Sequence, residues 1–583
     1  LNHSQTLLSR QTIGRLDLLA LAFLWLGYFC LLLFRIGYLE YPTRGYTIPE
    51  HPVTIGIDLG QPRTLDRLNV YDGEGDGEMT LEYWNDGWRP VFPAQQGQLK
   101  LSSFYKVLER PLPQPMETSR LRLKLKGEGA VINELALFDS DRQRIVPSRV
   151  KLEEESGSPP IEGNQHPLFD ESNLTRFHND YRGNTYFDEI YHGRTAYEFV
   201  HHLPPYENTH PPLGKFLISL GIRMLDMTPF GMRLTGALFG SLLPVLLFWG
   251  GLLVTGSRTG AWLASLLMAC DFMNFTISRF ATIDVFQVFF LTAFALSLYR
   301  WYVFEKASWS WPSLGWFYGG GLFLGLAASV KWSALFVGTG IGLLYLWQLK
   351  EVWQSHGKLR WYGTASLTGN YFLAFIVVPV MVYYLSYGAF FPCIPEHPSL
   401  FSFQGVREFL AQQRNMFSYH SELVATHPFS SPFYTWPFIY KPIYLYVDPA
   451  SELHVAISLM GNPVLWWSGL VGMMIILWIA LGGKSPTATF LAGGYLILFL
   501  PWMLVSRITF IYHYFPTLPF LFMGLAWLLT RLPRHWTASR VIQGAFLVAA
   551  VLAFIAFYPA ISGYPVAREY VQWLHWFDKW NIL

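Results

Sequence analysis

Apolar runs long enough to cross a bilayer recur along most of this chain, and no other feature narrows its fold as far. The first covers 16–36. Others lie near 231–253, 260–277, 284–304, 314–330, 332–349, 365–387, 463–483, 487–504, 508–530 and 541–560. A spanning helix needs about 20 apolar residues, with about 17 as the lower limit. The chain therefore reads as an α-helical polytopic membrane protein with about eleven transmembrane helices. Composition agrees: of 583 residues, 52% are hydrophobic and only 14% charged, against about 25% charged in soluble domains. A net charge of +2 gives no basic surface for nucleic acid. Cys30, Cys270 and Cys393 are scattered, which supports neither a disulfide framework nor a zinc site.

Charges orient the runs. Taken alternately, Arg258, Arg300, Lys306, Lys350, Lys358, Arg360, Lys484, Arg531, Arg534 and Arg540 fall on one side, which the positive-inside rule makes the cytoplasm. Arg10 and Arg15 put the N-terminus there too, and the lack of an Ala-x-Ala exit reads as an uncleaved first span. The C-terminus is then extracytoplasmic. Arg233, Arg279, Lys331 and Arg507 fall on the outer face near the membrane. Such residues are costly without a partner. An anionic lipid head group would supply one; snorkelling to lipid phosphates is the plainer account.

Residues 50–147 change character. VTIGIDLG, LDRLNVYDG, MTLEYWNDGWRPV, SRLRLKLKG and VINELALFD are short alternating strands between Gly, Asp and Pro turns, a small antiparallel β-sandwich. Its IDLG opening, YWNDGW middle and INELALF close resemble the discoidin-type, galactose-binding-like jelly roll. The resemblance implies glycan contact or a structural, docking role. Residues 148–183 read as a linker.

The segment 184–215, NTYFDEIYHGRTAYEFVHHLPPYENTHPPLGK, concentrates polar chemistry in an apolar protein. Phe187, Ile190, Tyr191, Tyr197 and Val200 recur at roughly helical spacing, so its first half predicts an amphipathic helix. His210-Pro-Pro breaks the chain, and 216–225 is too short to span and suits a helix at the membrane surface. Two carboxylates facing a His–Lys loop make a reaction site; a solvated polar face beside a membrane anchor fits the residue types as well. The expected order is thus 1–40 (cytoplasmic start and first span), 50–147 (sandwich), 148–230 (linker and first outer loop), 231–387 (spans), 388–462 (outer loop) and 463–583 (C-terminal spans).

Several pieces together carry a family likeness: FDEIYHG, THPPLGK, PFGMRLTGALFG, SRFATIDVFQVFF, SVKWSALF, NMFSYHSELVATHPFSSPFYTWPF, ISLMGNPVLWW and FIYHYFPTLPF. In this order they resemble the dolichyl-phosphate-mannose–protein mannosyltransferases, family 39 of the membrane-embedded GT-C glycosyltransferases. Two departures point to a prokaryotic relative. A late loop of roughly 75 residues cannot hold the β-trefoil MIR domain of eukaryotic members, and the β-sandwich is not part of the family core. The related lipid A aminoarabinose transferases carry Lys before Pro-Pro, so His210 favours the protein mannosyltransferase branch.

The resemblance implies inverting transfer of mannose, or a related hexose, from a polyprenyl-phosphate carrier to a Ser or Thr hydroxyl of an exported protein. It assigns the base to Asp188 and acceptor positioning to Glu189. A hydroxyl needs a base as it attacks, whereas the lipid monophosphate is already a good leaving group and needs only donors and cations. Candidates for that are Arg233 (from the family's GMR motif), His210, Lys215, Arg279 and Lys331. Asp284 caps a span or joins the site, and His420 contacts phosphate or peptide. Phe429, Phe433 and Trp436 suit an interfacial aromatic belt. No metal or other cofactor is expected, since His420 with Asp188 or Glu189 makes a poor ligand set. The partners implied are the polyprenyl-phosphate sugar, an exported protein or peptide and membrane lipids, with the site on the outer face of a bacterial inner membrane. A lipid or wall-polysaccharide acceptor is the neighbouring alternative. A transporter or flippase would call for repeats and paired broken helices that the sequence lacks, and a scaffold leaves the DE and HPPLGK segments unexplained.

Overall fold

A computed structural model describes residues 13–92, 98–153, 159–305, 311–355, 360–483, 485–533, 537–580 and 582. Lys306, Lys358, Lys484, Arg534 and Arg10 of the charge pattern lie outside the described residues. The chain divides into two compact units: one of 1–34, 191–220 and 233–583, the other of 35–190 and 221–232.

The first unit is mainly helical, with one antiparallel strand pair, Ile443–Val447 and Ala456–Leu459. Among the described residues, eight helices are long and apolar enough to cross a membrane: Arg15–Leu33 (α1), Pro229–Thr255, Asp284–Val303, Trp332–Gln354, Arg360–Cys393, Pro463–Leu481, Pro486–Leu504 and Thr537–Ser562. The remaining three of the eleven expected runs take other forms. The run near 260–277 is two helices, Arg258–Ala269 and Phe272–Ile277, split where Asp271 accepts from the Asn274 amide at 2.9 Å as an N-cap. The run near 508–530 is a 3₁₀ segment, Ile511–Thr517, leading into the 13-residue helix Leu518–Thr530. The run near 314–330 is the 18-residue helix Trp311–Ala328.

Local sequence explains several starts. Asn462 accepts from Val464 N and Ser485 from Ala488 N, each followed by proline as the first helical residue, where its missing N–H costs nothing. The span Asp284–Val303 is 78% buried and forms the middle of the unit. Trp332–Gln354, Arg360–Cys393 and Thr537–Ser562 bury only 17–22% and turn apolar faces outward, as lipid-facing helices do.

The second unit is built on a ten-stranded antiparallel sheet of β1 (Tyr46–Thr47), β2 (Val53–Asp72), β3 (Gly77–Trp84), β4 (Trp88–Pro90), β5 (Leu99–Leu101), β6 (Val107–Lys126), β7 (Val131–Phe138), β8 (Arg144–Ile145), β9 (Arg149–Leu152) and β10 (Ile161–Glu162). Its main path runs β1-β7-β2-β6-β3-β4. Alternation does the sorting: Ile55, Ile57 and Leu59 of β2 pack with Leu121, Leu123 and Leu125 of β6 and Leu135 and Leu137 of β7. The β2–β6 register breaks between Asp58 and Arg63 and again between Leu65 and Arg67, so these two 20-residue strands bend together. The unit continues past 147: β9 pairs with β2, and Leu168 and Phe169, in the segment read as a linker, close its core. Two carboxyls are buried here. Burial pushes Asp72 up to about 7 and Glu134 up to about 8, although Ser172 Oγ donates to Glu134 at 2.9 Å.

Candidate active site

Asp188 and Glu189 stand at the entrance of α2 (Glu189–His201). Phe187 carries a left-handed backbone, φ 51°, a conformation that costs a bulky residue free energy. That sharp turn feeds the chain into the helix with Asp188 half-buried at its mouth. Glu189 is fully buried, and its Oε2 accepts from the Tyr186 amide at 3.1 Å. It sits where the N-terminal end of the helix dipole favours a negative charge. The amphipathic helix expected from the spacing is present, and His202, at φ 56°, ends it.

The loop between α2 and α3 (Leu213–Leu225) is organised by Glu207, a member of the polar cluster to which the sequence assigned no role. Glu207 is 8% exposed and binds in four directions. Its Oε2 accepts from Lys215 Nζ at 2.7 Å, its Oε1 faces His210 Nδ1 at 3.1 Å, Thr209 N donates at 2.8 Å, and the Thr209 hydroxyl donates as well. Glu207 N donates to Thr195 Oγ1 of α2 at 2.9 Å. Lys215 spends its three protons on Glu207 Oε2, Glu207 O at 2.9 Å and His210 O at 2.8 Å. Gly214 permits this: a Cβ there would lie 2.6 Å from Ile283 Cγ2.

The electrostatics follow. Burial alone would raise the Glu207 pKa, but the Lys215 ammonium and the flanking imidazoles hold it well below the usual range. Burial pushes His210 down to about 3 against the pull of Glu207, with Lys331 adding to the effect. A neutral His210 donating Nδ1–H to Glu207 leaves Nε2 as an acceptor. His420, on α6 (Phe403–Glu422) below, is lowered by burial and by Arg507. Its Nε2 donates to Thr209 O at 2.8 Å, and its Nδ1 is buried without a hydrogen-bond partner among the described residues. The His192, His210 and His420 rings pack edge to face at 5.7 and 5.4 Å.

The remaining candidates separate. Lys331 Nζ pairs with Asp284 Oδ1 at 2.8 Å, above the Tyr512 ring at 5.3 Å. Asp284, the first residue of α5 (Asp284–Arg300), also accepts from Thr282 Oγ1 at 3.1 Å. Arg279 donates to Leu32 O at 2.7 Å and Phe34 O at 2.8 Å, satisfying orphan carbonyls at the C-terminus of α1. Arg233, on α4 (Pro229–Thr255), is fully buried. Arg507 is half-buried and, among the described residues, makes no hydrogen bond or ion pair. Burial lowers its pKa, opposed by the Tyr512 and Tyr419 hydroxyls. Of the basic residues marked on sequence as needing a partner, Arg279 and Lys331 find one within the protein, while Arg507 makes no hydrogen bond or ion pair among the described residues. Among the described residues no three His, Cys, Asp or Glu side chains group to hold a metal ion.

Comparison with known proteins gives this geometry its context. Residues 224–391 match the model of the dolichyl-phosphate-mannose–protein mannosyltransferases, and 406–580 match that of the C-terminal four-helix region of protein O-mannosyltransferases. The polyprenol-phosphate-mannose–protein mannosyltransferase of Mycobacterium tuberculosis is 26% identical over 456 residues, covering 68% of this chain and 87% of the relative. That of Corynebacterium glutamicum is 26% identical, covering 64% and 81%. In fold, the chain is similar to the Saccharomyces cerevisiae protein O-mannosyltransferase Pmt1–Pmt2 complex bound to the sugar donor, with a TM-score of 0.59 at 15% identity, covering 68% of this chain and 89% of that one. With both family models matched in chain order over more than half its length, the chain belongs to the dolichyl-phosphate-mannose–protein mannosyltransferase family.

Proposed function

We propose that this protein is an inverting glycosyltransferase that moves mannose from a polyprenyl-phosphate carrier to Ser or Thr hydroxyls of exported proteins. The observation that carries this is the match, over 68% of this chain and 87% of the relative, to a polyprenol-phosphate-mannose–protein mannosyltransferase. Asp188 takes the proton from the acceptor Oγ as that oxygen attacks C1 of the sugar. The C1–O bond to phosphate breaks on the opposite face, and its electron pair leaves with the polyprenyl phosphate. A β-linked donor thereby gives an α-mannoside. Glu189 positions the acceptor. Lys331 and Arg507 meet the leaving phosphate, Arg507 because its guanidinium has no internal partner among the described residues; Arg233 joins them by its motif. His210 and His420 offer neutral acceptor nitrogens for hydroxyls of sugar or peptide, with Lys215 and Glu207 holding the loop.

The finer architecture belongs to the same proposal. Eleven spans put α2, α3 and the 388–462 loop on the extracytoplasmic face of a bacterial inner membrane. The ten-stranded unit is an accessory module of the discoidin-type, galactose-binding-like class. Its residues 35–190 lie outside those matched by the family models, which favours a second acceptor reading: a wall polysaccharide or lipid glycan held by the module.

The test is a panel. Purified protein is given polyprenyl-phosphate mannose or glucose together with a Ser/Thr-rich peptide, a lipid acceptor or a wall polysaccharide. Mannosyl peptide is expected. Product confined to lipid or polysaccharide would move the function to the second reading, and no product with any pair would end both.

A further inference from the structure

Helix α6 presents three faces, of which the fold and the site use one. The inner face buries Gly405, Gln412 and Met416. Phe409 packs on the Tyr384 and Tyr387 rings at 5.0 Å, Gln412 donates to Asn208 O, and His420 donates to Thr209 O. Beside it runs an apolar stripe that touches little of the protein: Phe403 is 87% exposed, Leu410 60% and Phe417 66%, with Val406 between them and Phe401 just before the helix. Residues seven apart drift only about 20° per step around a straight helix, so 403, 410 and 417 form one line. Arg407 and Arg414, also seven apart, border it. The third face carries Gln404, Glu408 and Asn415.

Three large side chains in line are not left in water without a partner. Two observations name the partner. Nine residues separate the helix from the span Arg360–Cys393, so it begins within roughly 35 Å of that span's end. The span's own outer side is the apolar band of Phe372, Leu373, Ile376, Val380, Met381 and Leu385, with which the stripe is continuous in character. A row of arginines along the edge of an apolar stripe is also the pattern of a helix lying in a lipid interface, with the cations at the phosphates.

We propose that α6 lies in the outer membrane–water interface, with Phe403, Leu410 and Phe417 at the acyl boundary and Arg407 and Arg414 against anionic headgroups. The loop that carries His210 is then moored to the bilayer surface, because the inner face of the same helix holds the Asn208 and Thr209 carbonyls. The inference needs only that the chain is membrane-embedded and does not rest on the sugar or the acceptor.

The test uses the full chain with Cys30, Cys270 and Cys393 replaced by Ala, in nanodiscs containing phosphatidylglycerol. Nitroxides are placed at position 410, at 417 as a second site, or at 415 as the polar-face control. Collision with oxygen should exceed collision with a nickel chelate at 410 and 417, and the order should invert at 415. The Arg407→Gln/Arg414→Gln pair should shift position 410 towards the nickel-accessible side. Equal nickel access at 410, 417 and 415 would overturn the proposal. So would dipolar broadening at 410 between copies, which would make the stripe a protein–protein contact.

Discussion

Phe187 holds a left-handed backbone one position before Asp188, and nothing in the spacing of apolar residues foretells that turn. Backbone cost of this kind persists where the surroundings over-determine it, and here it falls at the entrance of α2. Replacing Asp188 with Asn keeps size and removes the proton acceptor, so transfer should fall by at least about 10²-fold. Donor-lipid binding should persist. Near-normal turnover for Asp188→Asn with a dead Glu189→Gln would reverse their roles. The sequence showed which residue types cluster, and the family likeness assigned roles to Asp188 and Glu189. It did not show who pairs with whom, because Glu207–Lys215, Lys331–Asp284 and Arg279 with the end of α1 are meetings through space. Glu207→Gln should leave the buried Lys215 ammonium without its carboxylate, a loss of about 3–5 kcal/mol. Adding Lys215→Met should recover part of it, read as thermal unfolding. His210 has a folded pKa below its unfolded one. Its share of stability is complete above about pH 6.5 and is lost as pH falls from there towards 3. A His210→Gln chain should lack that share of the acid sensitivity.

Among the elements, helices with sustained apolar runs were the most legible, since burial and period agree along their whole length. Legibility failed where a polar cap interrupts a run. Asp271 splits the 260–277 run, and 3₁₀ geometry takes up the beginning of the 508–530 run. In the sheet, alternation marked the strands, but the closure by Leu168 and Phe169 lay in a segment rich in turn residues that reads locally as linker. The sheet also carries its own pH signature. Glu134, raised to about 8 by burial, contributes stability that is full below about pH 4.5 and is lost as pH rises through about 8. Hydrogen exchange of the β2 and β7 amides should therefore quicken between pH 6 and 8.5, after correction for the intrinsic rate. Glu134→Gln should flatten that trend. An unchanged trend in the variant would place its cause elsewhere.

At the scale of the whole molecule, the proposed transferase neutralises its leaving phosphate with side chains rather than with a divalent ion. Transfer should survive chelation by EDTA, and loss restored by Mn²⁺ or Mg²⁺ would show that a divalent ion takes that work. Family and general fold were open to reading because the matching pieces recur in order from Phe187 to Phe520. The acceptor was not, because no motif touches it. The most direct measurement is the product itself: a Ser/Thr peptide incubated with β-linked polyprenyl-phosphate mannose, isolated, and analysed for site and anomer by mass spectrometry and α-mannosidase digestion. An α-mannosidase-sensitive hexose on a Ser or Thr oxygen, absent with Asp188→Asn, is the predicted result. A β-linked product, or sugar found only on lipid or polysaccharide, would contradict it.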